Sequence, residues 1–319
     1  MILSGKASFI LRWCAALGLV VCCSERAACA QPGRAGEHYP AVIRLDELLA
    51  FAETASEAGG GSRNRSEPLP AYAEALLADG RLSIGLGIGT EDLGAVRLPE
   101  NPEGQKAKKI IRIRGRLVEV EARFILTRED FMQALADCEI IFITSHSRFG
   151  AGPVFRNDGK AFPFLMQKTK GYEIVMPDEE ICGFTGKIKR RFYNPDKKKF
   201  YTVFEPDSSD LDKALPLHGY QLLVLSTCTS KKHFGDEIQN FRSPYPTTAI
   251  LTRRAACFDT GMNIFMRLLV GIFQARELPA IVRAMNEEYN AVAAREARKG
   301  VKAWKQVDSM YLLGINTLP

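Results

Sequence analysis

Two apolar runs of the chain each end at a side chain capable of covalent catalysis. The run "EIIFITS" is followed by His146, and the run "QLLVLST" is followed by Cys228. A thiol becomes a strong nucleophile when an imidazole takes its proton, and the imidazolium can then protonate the leaving group. The two residue types therefore predict nucleophilic acyl transfer, provided that the fold brings both side chains together.

The two runs have the composition of central strands in a sheet that is covered on both faces. Residues 140–143 and 222–225 are all apolar, which favours buried parallel strands. If the strands are parallel neighbours, His146 and Cys228 lie side by side at the carboxyl edge of the sheet, where open α/β sheets carry their sites. The long stretch between them leaves room for the crossover connection that parallel strands require.

These strand ends resemble the motifs of the caspase-like cysteine peptidases of clan CD, which include caspases, legumains, gingipains and separases. In that family one hydrophobic strand ends in His-Gly and another in Ala-Cys, and "IIFITSHS" and "LLVLSTC" follow this order within residues 117–275. The resemblance implies that His146 is the base and Cys228 the nucleophile. It also implies that backbone N–H groups of Ser147 and Cys228 bind the oxyanion, and that the reaction needs no metal and no cofactor.

The chain departs from the family pattern at two positions. Ser147 stands where the family has glycine, and Thr227 where it usually has alanine; Ser147 keeps its N–H, but its Cβ restricts the turn. In caspases, arginines near these strands hold an acidic substrate side chain by bidentate pairing. The resemblance extends this substrate-binding role to Arg148, Arg253 and Arg254.

The sequence also allows roles for Cys228 that do not involve catalysis. Cysteine is often buried at the end of a core strand, where it only packs. Export would allow disulfides with Cys138, Cys182 or Cys257, whereas the absence of any C-x-x-C pair argues against a structural zinc site. His146 could likewise be a hydrogen-bonded core histidine.

Two other histidines compete for the role of base. His218 is followed by Gly219 and so carries the family's dipeptide. It precedes Cys228 on the same extended run, however, which predicts a position at the opposite edge of the sheet. His233 follows Cys228 in a segment whose polar composition predicts a loop, where a base is poorly held.

The first 30 residues have the features of a secretory signal peptide. Lys6 and Arg12 precede the apolar run "WCAALGLVVCC", which is too short for a stable span, and the small-x-small pattern ends at Ala30. The alternative is a lipoprotein anchored at Cys22, although Val21 before it is bulkier than such sites usually allow. The sequence thus predicts export to the periplasm or the medium, with no membrane span after cleavage.

The rest of the chain predicts an α/β protein with a caspase-like three-layer sandwich around a mainly parallel sheet. Residues 31–107 are interpreted as a helical and linker segment, either a propeptide or an accessory element, and 108–319 as the catalytic domain. A basic β-hairpin, "KIKRRFY" and "KKKFYTVF" around Asn-Pro-Asp, is inserted. The composition is 46% hydrophobic, which supports a sizeable core.

The sequence therefore predicts an exported cysteine endopeptidase acting on proteins or peptides. A formal charge of +6 is modest for this length and does not indicate a nucleic-acid partner. The alternative is an inert scaffold of the same fold that binds a partner or an anionic surface through the hairpin. The basic residues available for this are Lys187, Lys189, Arg190, Arg191 and Lys197–Lys199. Neither the substrate nor the oligomeric state follows from the sequence.

Overall fold

A computed structural model describes the protein over most of its length. The described residues are 42–59, 68–89, 98–99, 101–145, 153, 155, 165–169, 171–175, 187–194, 199–206, 211, 214–228, 230–253, 261–298 and 310–315. The predicted signal peptide and its cleavage site lie outside them.

Two β-sheets are formed. The strands in chain order are β1 (Arg81–Ile88), β2 (Lys106–Ile113), β3 (Arg116–Ile125), β4 (Ile140–Ser145), β5 (Leu165–Thr169), β6 (Gly171–Val175), β7 (Lys187–Asn194), β8 (Lys199–Pro206), β9 (Gln221–Thr227), β10 (Thr247–Thr252) and β11 (Met310–Ile315). Seven of them form one sheet in the order β11-β10-β9-β4-β1-β3-β2. Its five inner strands are parallel to one another, and the edge strands β2 and β11 run antiparallel to their neighbours. The predicted mainly parallel α/β architecture is confirmed at this level.

Six α-helices accompany the sheets within the described part of the chain. They are α1 (Leu45–Gly59), α2 (Ala71–Leu76), α3 (Arg128–Asp137), α4 (Ser230–Arg242), α5 (Gly261–Phe273) and α6 (Leu278–Arg298). The start of α3 is fixed by a capping box between Thr127 and Asp130. The Thr127 side chain accepts from the Asp130 backbone N–H, and the Asp130 carboxylate accepts from the Thr127 N–H.

The seven-stranded sheet is covered on both faces, as the continuous apolar strands predict. Side chains of β4 alternate between two cores. Ile140 and Phe142 pack in the core that α1, α5 and α6 cover, whereas Ile141 and Ile143 pack in the core that α3 and α4 cover. Burying each such side chain stabilises the fold by about 1.5–3 kcal/mol. The arrangement is compatible with a three-layer α/β sandwich.

The segment after Cys228 is a helix, and the predicted loop is wrong. Helix α4 runs from Ser230 to Arg242, with Phe234 and Ile238 fully buried against the sheet. These two residues are four positions apart, so they form one apolar stripe on the helix. The charged and polar residues around them obscured that short stripe in the sequence.

Glycines inside β1 make room for side chains of the neighbouring strands. A Cβ on Gly87 would lie 2.4 Å from Cδ1 of Ile143, and one on Gly85 would lie 2.7 Å from Cδ1 of Ile125. The glycine-rich stretch "LSIGLGIG" is thus explained by close packing in a central strand. The stretch also lacks the G-x-G-x-x-G order of a phosphate-binding loop.

Replacing Gly87 by alanine should therefore destabilise the protein by about 1–3 kcal/mol, because the added methyl group overpacks the core against Ile143. Denaturant unfolding would measure this difference. The matched control is Gly219→Ala, since a Cβ on Gly219 would meet nothing within 4 Å. Equal midpoints for the two variants would contradict the close packing described for β1.

The N-terminal part of the chain contributes to the same core as the rest. Leu45 and Leu49 of α1 are at most 2% exposed, and the Ser56 carbonyl oxygen accepts a hydrogen bond from the Gln274 side chain at 3.1 Å. Strand β1 lies between β4 and β3. Removal of α1 as a propeptide would uncover this apolar surface of the core.

The second sheet contains the predicted basic hairpin. Strands β7 and β8 pair antiparallel, from Lys187 opposite Pro206 to Asn194 opposite Lys199. Strands β5 and β6 extend the pair to a four-stranded sheet, and these two strands were not predicted. No helix within the described residues is long and apolar enough to cross a membrane.

Candidate functional site

The strands that carry the two predicted catalytic residues are parallel neighbours. Strands β4 and β9 pair in register up to Ser145 opposite Thr227. His146 and Cys228 are the next residues in their respective strands' sequences. The predicted parallel placement of the strands is confirmed. His146 itself, like Ser147 and Arg148, lies outside the described residues.

Cys228 lies at the carboxyl edge of the sheet, between β9 and α4. It is a half-buried thiol, whereas the thiol of Cys138 is buried with 2% exposure. Neither belongs to a disulfide, so the disulfide interpretation of Cys228 finds no support. Cys228 lies two positions before Ser230, where the 13-residue helix α4 begins.

Cys138 has the opposite environment. Burial raises the pKa of the Cys138 thiol to about 12, so it is protonated and unreactive at neutral pH. It follows α3 at the amino end of β4, on the far edge of the sheet from Cys228. The half-buried Cys228 is therefore the better placed of these two cysteines to meet a substrate.

Two buried hydroxyl groups fix the turn that contains Cys228. Ser230 Oγ donates to the Leu225 carbonyl oxygen and accepts from the Thr252 N–H, both at 2.8 Å. Thr252 Oγ1 donates to the Thr227 carbonyl oxygen and accepts from the Ser230 N–H at 3.2 Å. Both side chains are fully buried. Sequence reasoning missed this pair, although Thr252 ends the apolar run "TTAILT" and Ser230 lies three positions after the end of "LLVLST".

Further hydroxyl groups lie at the same edge of the sheet. Thr144 Oγ1, Ser226 Oγ and Thr227 Oγ1 are buried and have no hydrogen-bond partner in the described part of the chain. Helix α5 starts against the first of them, since a Cβ on Gly261 would lie 2.6 Å from Thr144 Oγ1. The start of α5 thus needs glycine for its close approach to the end of β4.

The predicted substrate-binding arginines are only partly described. Arg253 follows β10 directly and is exposed. Because β10 is parallel to β9, this places Arg253 at the same sheet edge as Cys228. Arg254 and Arg148 lie outside the described residues.

His218 lies at the opposite edge of the sheet, as its position in the sequence predicts. It precedes β9, and its ring stacks on that of Tyr245 with centroids 5.1 Å apart and an interplanar angle of 14°. The adjacent Gly219 carbonyl oxygen accepts a hydrogen bond from Arg242 at 3.0 Å. His218 thus lies among the contacts that stabilise the amino end of β9. His233 lies within α4.

The amino edge of the sheet also contains Glu139, a carboxyl group whose pKa is raised. The Ser83 N–H and hydroxyl donate to Glu139 Oε2 at 2.8 and 3.2 Å. Burial nevertheless dominates and raises the pKa of Glu139 to about 7. Because the ordinary glutamate pKa is near 4.3, the folded protein holds a proton here that the unfolded chain has released at intermediate pH.

The free energy of unfolding should therefore include a contribution from Glu139 that falls as the pH rises from about 4.3 to about 7. Above pH 7 this contribution should not change further. Glu139 is half-buried, so solvent screening reduces the effect to on the order of 1 kcal/mol. Urea unfolding of a Glu139→Gln variant and the wild type at pH 5 and at pH 8 would test this. The difference in unfolding free energy between the two proteins should shift in favour of the variant at pH 8, because only the wild type is destabilised as the pH rises. A stability difference that stays constant between these pH values would contradict the shift.

Among the described residues, no three His, Cys, Asp or Glu side chains are grouped so as to hold a metal ion.

Comparison with known proteins does not assign the chain to a family. No family model, no curated protein and no solved structure matches it. A functional assignment of this chain therefore depends on the geometry of the sheet edge around Cys228.

Proposed function

We propose that the chain is an exported caspase-like cysteine endopeptidase that hydrolyses peptide bonds with a Cys228–His146 dyad. The observation that carries the proposal is the parallel register of β4 and β9, which ends with Ser145 opposite Thr227. The two residues that follow are the thiol and the imidazole that this chemistry requires. The half-buried state of Cys228 also supports it.

The reaction would proceed by acyl transfer. His146 takes the proton of Cys228, the thiolate attacks the peptide carbonyl carbon, and the tetrahedral oxyanion is stabilised by the N–H groups of Ser147 and Cys228. The imidazolium then protonates the leaving amine, and water hydrolyses the thioester with His146 again acting as base. No metal or cofactor takes part in these steps.

The finer fold assignment belongs to the same proposal. The mostly parallel sheet with helices on both faces supports a caspase-like sandwich. In that fold Arg148, Arg253 and Arg254 would bind an acidic side chain before the scissile bond. Peptide libraries would then show preference for Asp or Glu at that position, and a preference for Lys or Arg would contradict this assignment.

An inert scaffold of the same fold is the second candidate. It is favoured by Ser147, whose Cβ restricts the turn at a position where the family has glycine. The scaffold would bind an anionic partner through β7 and β8, whose sequences contain most of the basic hairpin residues.

Labelling with a peptidyl acyloxymethyl ketone separates the two candidates. The peptidase should be labelled at Cys228 in its mature form, and Cys228→Ala should abolish the labelling. Cys138 provides an internal reference, since its buried thiol should remain unlabelled. Failure of the wild type to react would favour the scaffold.

Export is tested separately by mass spectrometry of the protein from its native host. Cleavage after Ala30 would make Gln31 the first residue of the mature protein, whereas an intact Met1 would contradict export.

A further inference from the structure

The buried side chains of Ser230 and Thr252 form hydrogen bonds to the backbone on both sides of Cys228. Thr252 Oγ1 holds the carbonyl oxygen of Thr227, the residue before Cys228, and accepts from the Ser230 N–H at 3.2 Å. Ser230 Oγ lies 3.1 Å from Thr252 Oγ1 and donates to the Leu225 carbonyl oxygen at 2.8 Å. Both side chains have 0% exposure. The pair thus connects the ends of β9 and β10 with the start of α4.

These contacts fix the orientation of the peptide plane that joins Thr227 to Cys228. Thr252 is the last residue of β10, which flanks β9 on one side, and β4 flanks it on the other. The Thr227 carbonyl therefore points toward the β10 side. In a trans peptide the following N–H points the opposite way, so the Cys228 N–H is directed toward the β4 side. That is the side on which β9 pairs with β4, up to Ser145 opposite Thr227, so the peptide is held between the two neighbouring strands.

We propose that Thr252 and Ser230 are positioning residues for catalysis by Cys228: their hydroxyl groups hold the 227–228 peptide in place and thereby fix the position from which the Cys228 thiol attacks the substrate carbonyl. The inference rests on the proposed peptidase function, which it deepens. Neither hydroxyl touches the substrate. Their effect arises because a displacement of about 1 Å at a reacting group can lower the rate about 100-fold.

Three variants separate positioning from simple packing. Thr252→Val keeps the shape and removes the hydroxyl, and Thr252→Ser keeps the hydroxyl. Ser226→Ala is the matched control, because Ser226 Oγ is buried at the end of the same strand but has no hydrogen-bond partner among the described residues. Ser230→Ala provides the same test from the other side of the turn, should Thr252→Val not fold.

The readouts are kcat and KM for peptide hydrolysis, the pH profile of Cys228 alkylation by iodoacetamide, and thermal unfolding. Alkylation is mapped by mass spectrometry, with buried Cys138 as the internal reference for an unreactive thiol. Thr252→Val should lower kcat by about 100-fold with KM changed less than about threefold. Its alkylation profile should move to higher pH as the thiol loses its place before α4. Thr252→Ser should recover most of kcat, and Ser226→Ala should resemble the wild type.

The proposal is overturned if Thr252→Val keeps the wild-type kcat and alkylation profile. It is also overturned if Thr252→Val and Thr252→Ser lose kcat equally and only in proportion to a lowered melting temperature. Absence of peptide hydrolysis in the wild type would instead refute the proposed function. In that event the alkylation profile alone decides: a shift for Thr252→Val that Thr252→Ser reverses supports the positioning role, and an unchanged profile refutes it.

Discussion

A His146→Ala variant is expected to lose peptide turnover by about 1,000-fold or more while remaining folded. His146 follows Ser145, and Ser145 is paired with the residue before Cys228. Without the imidazole, a thiol with an ordinary pKa near 8.5 is mostly protonated at neutral pH, and the leaving amine has no proton donor. Turnover of a peptide library would measure the loss, with circular dichroism to confirm folding.

The other histidines serve as matched controls. His218→Ala should leave turnover nearly intact, because His218 precedes β9, and the seven residues of that strand separate it from Cys228 by about 23 Å. His233→Ala should lower turnover only modestly, since His233 lies on a helix that starts after Cys228 but is not at a strand end. If His146→Ala retained near-normal turnover, the assigned dyad would be wrong. A large loss for His218→Ala would contradict its placement at the far edge.

Replacing Arg242 by methionine should destabilise the protein by about 3–5 kcal/mol. This arginine is fully buried. It donates to Thr247 Oγ1 and to the Leu217 and Gly219 carbonyl oxygens at 2.7, 2.7 and 3.0 Å. Burial lowers the pKa of Arg242 only to about 10, so the guanidinium remains charged at neutral pH. Methionine fills similar volume but leaves these acceptors without their donor.

Arg267→Met is the control for the loss of an arginine from a helix. The Arg267 side chain is 58% exposed and pairs with Glu288 at 3.0 Å, so its removal should cost less than about 1 kcal/mol. Urea unfolding of both variants gives the comparison. A loss below about 1 kcal/mol for Arg242→Met would show that its hydrogen bonds do not brace the amino end of β9.

The ends of the central strands were predictable because short-range patterns specify them. Continuous apolar residues in β4 and β9 require burial on both faces, and this placed the ends of both strands at one sheet edge. The capping box at Thr127 and Asp130 was similarly local. Each of these features follows from a few adjacent residues, whatever the rest of the chain does.

The features that sequence reasoning missed depend on contacts between distant segments. Strand β11 is an edge strand, and its place beside β10 has no local signature. The hydroxyl pair that fixes the turn at Cys228 joins Ser230 to Thr252, which are 22 positions apart. Serine and threonine occur at many strand ends, so their hydrogen-bond partners become evident only in the folded chain.

The central claim is that Cys228 is the nucleophile of a peptidase, and trapping of the acyl-enzyme tests it most directly. The mature protein would be mixed with a peptide ester, quenched in acid during turnover and analysed by peptide mass spectrometry. The predicted result is a thioester adduct with the mass of the acyl portion of the substrate, located on Cys228 and absent from Cys228→Ala. Cleavage of the ester without an adduct on Cys228, or an adduct on another residue, would contradict the claim.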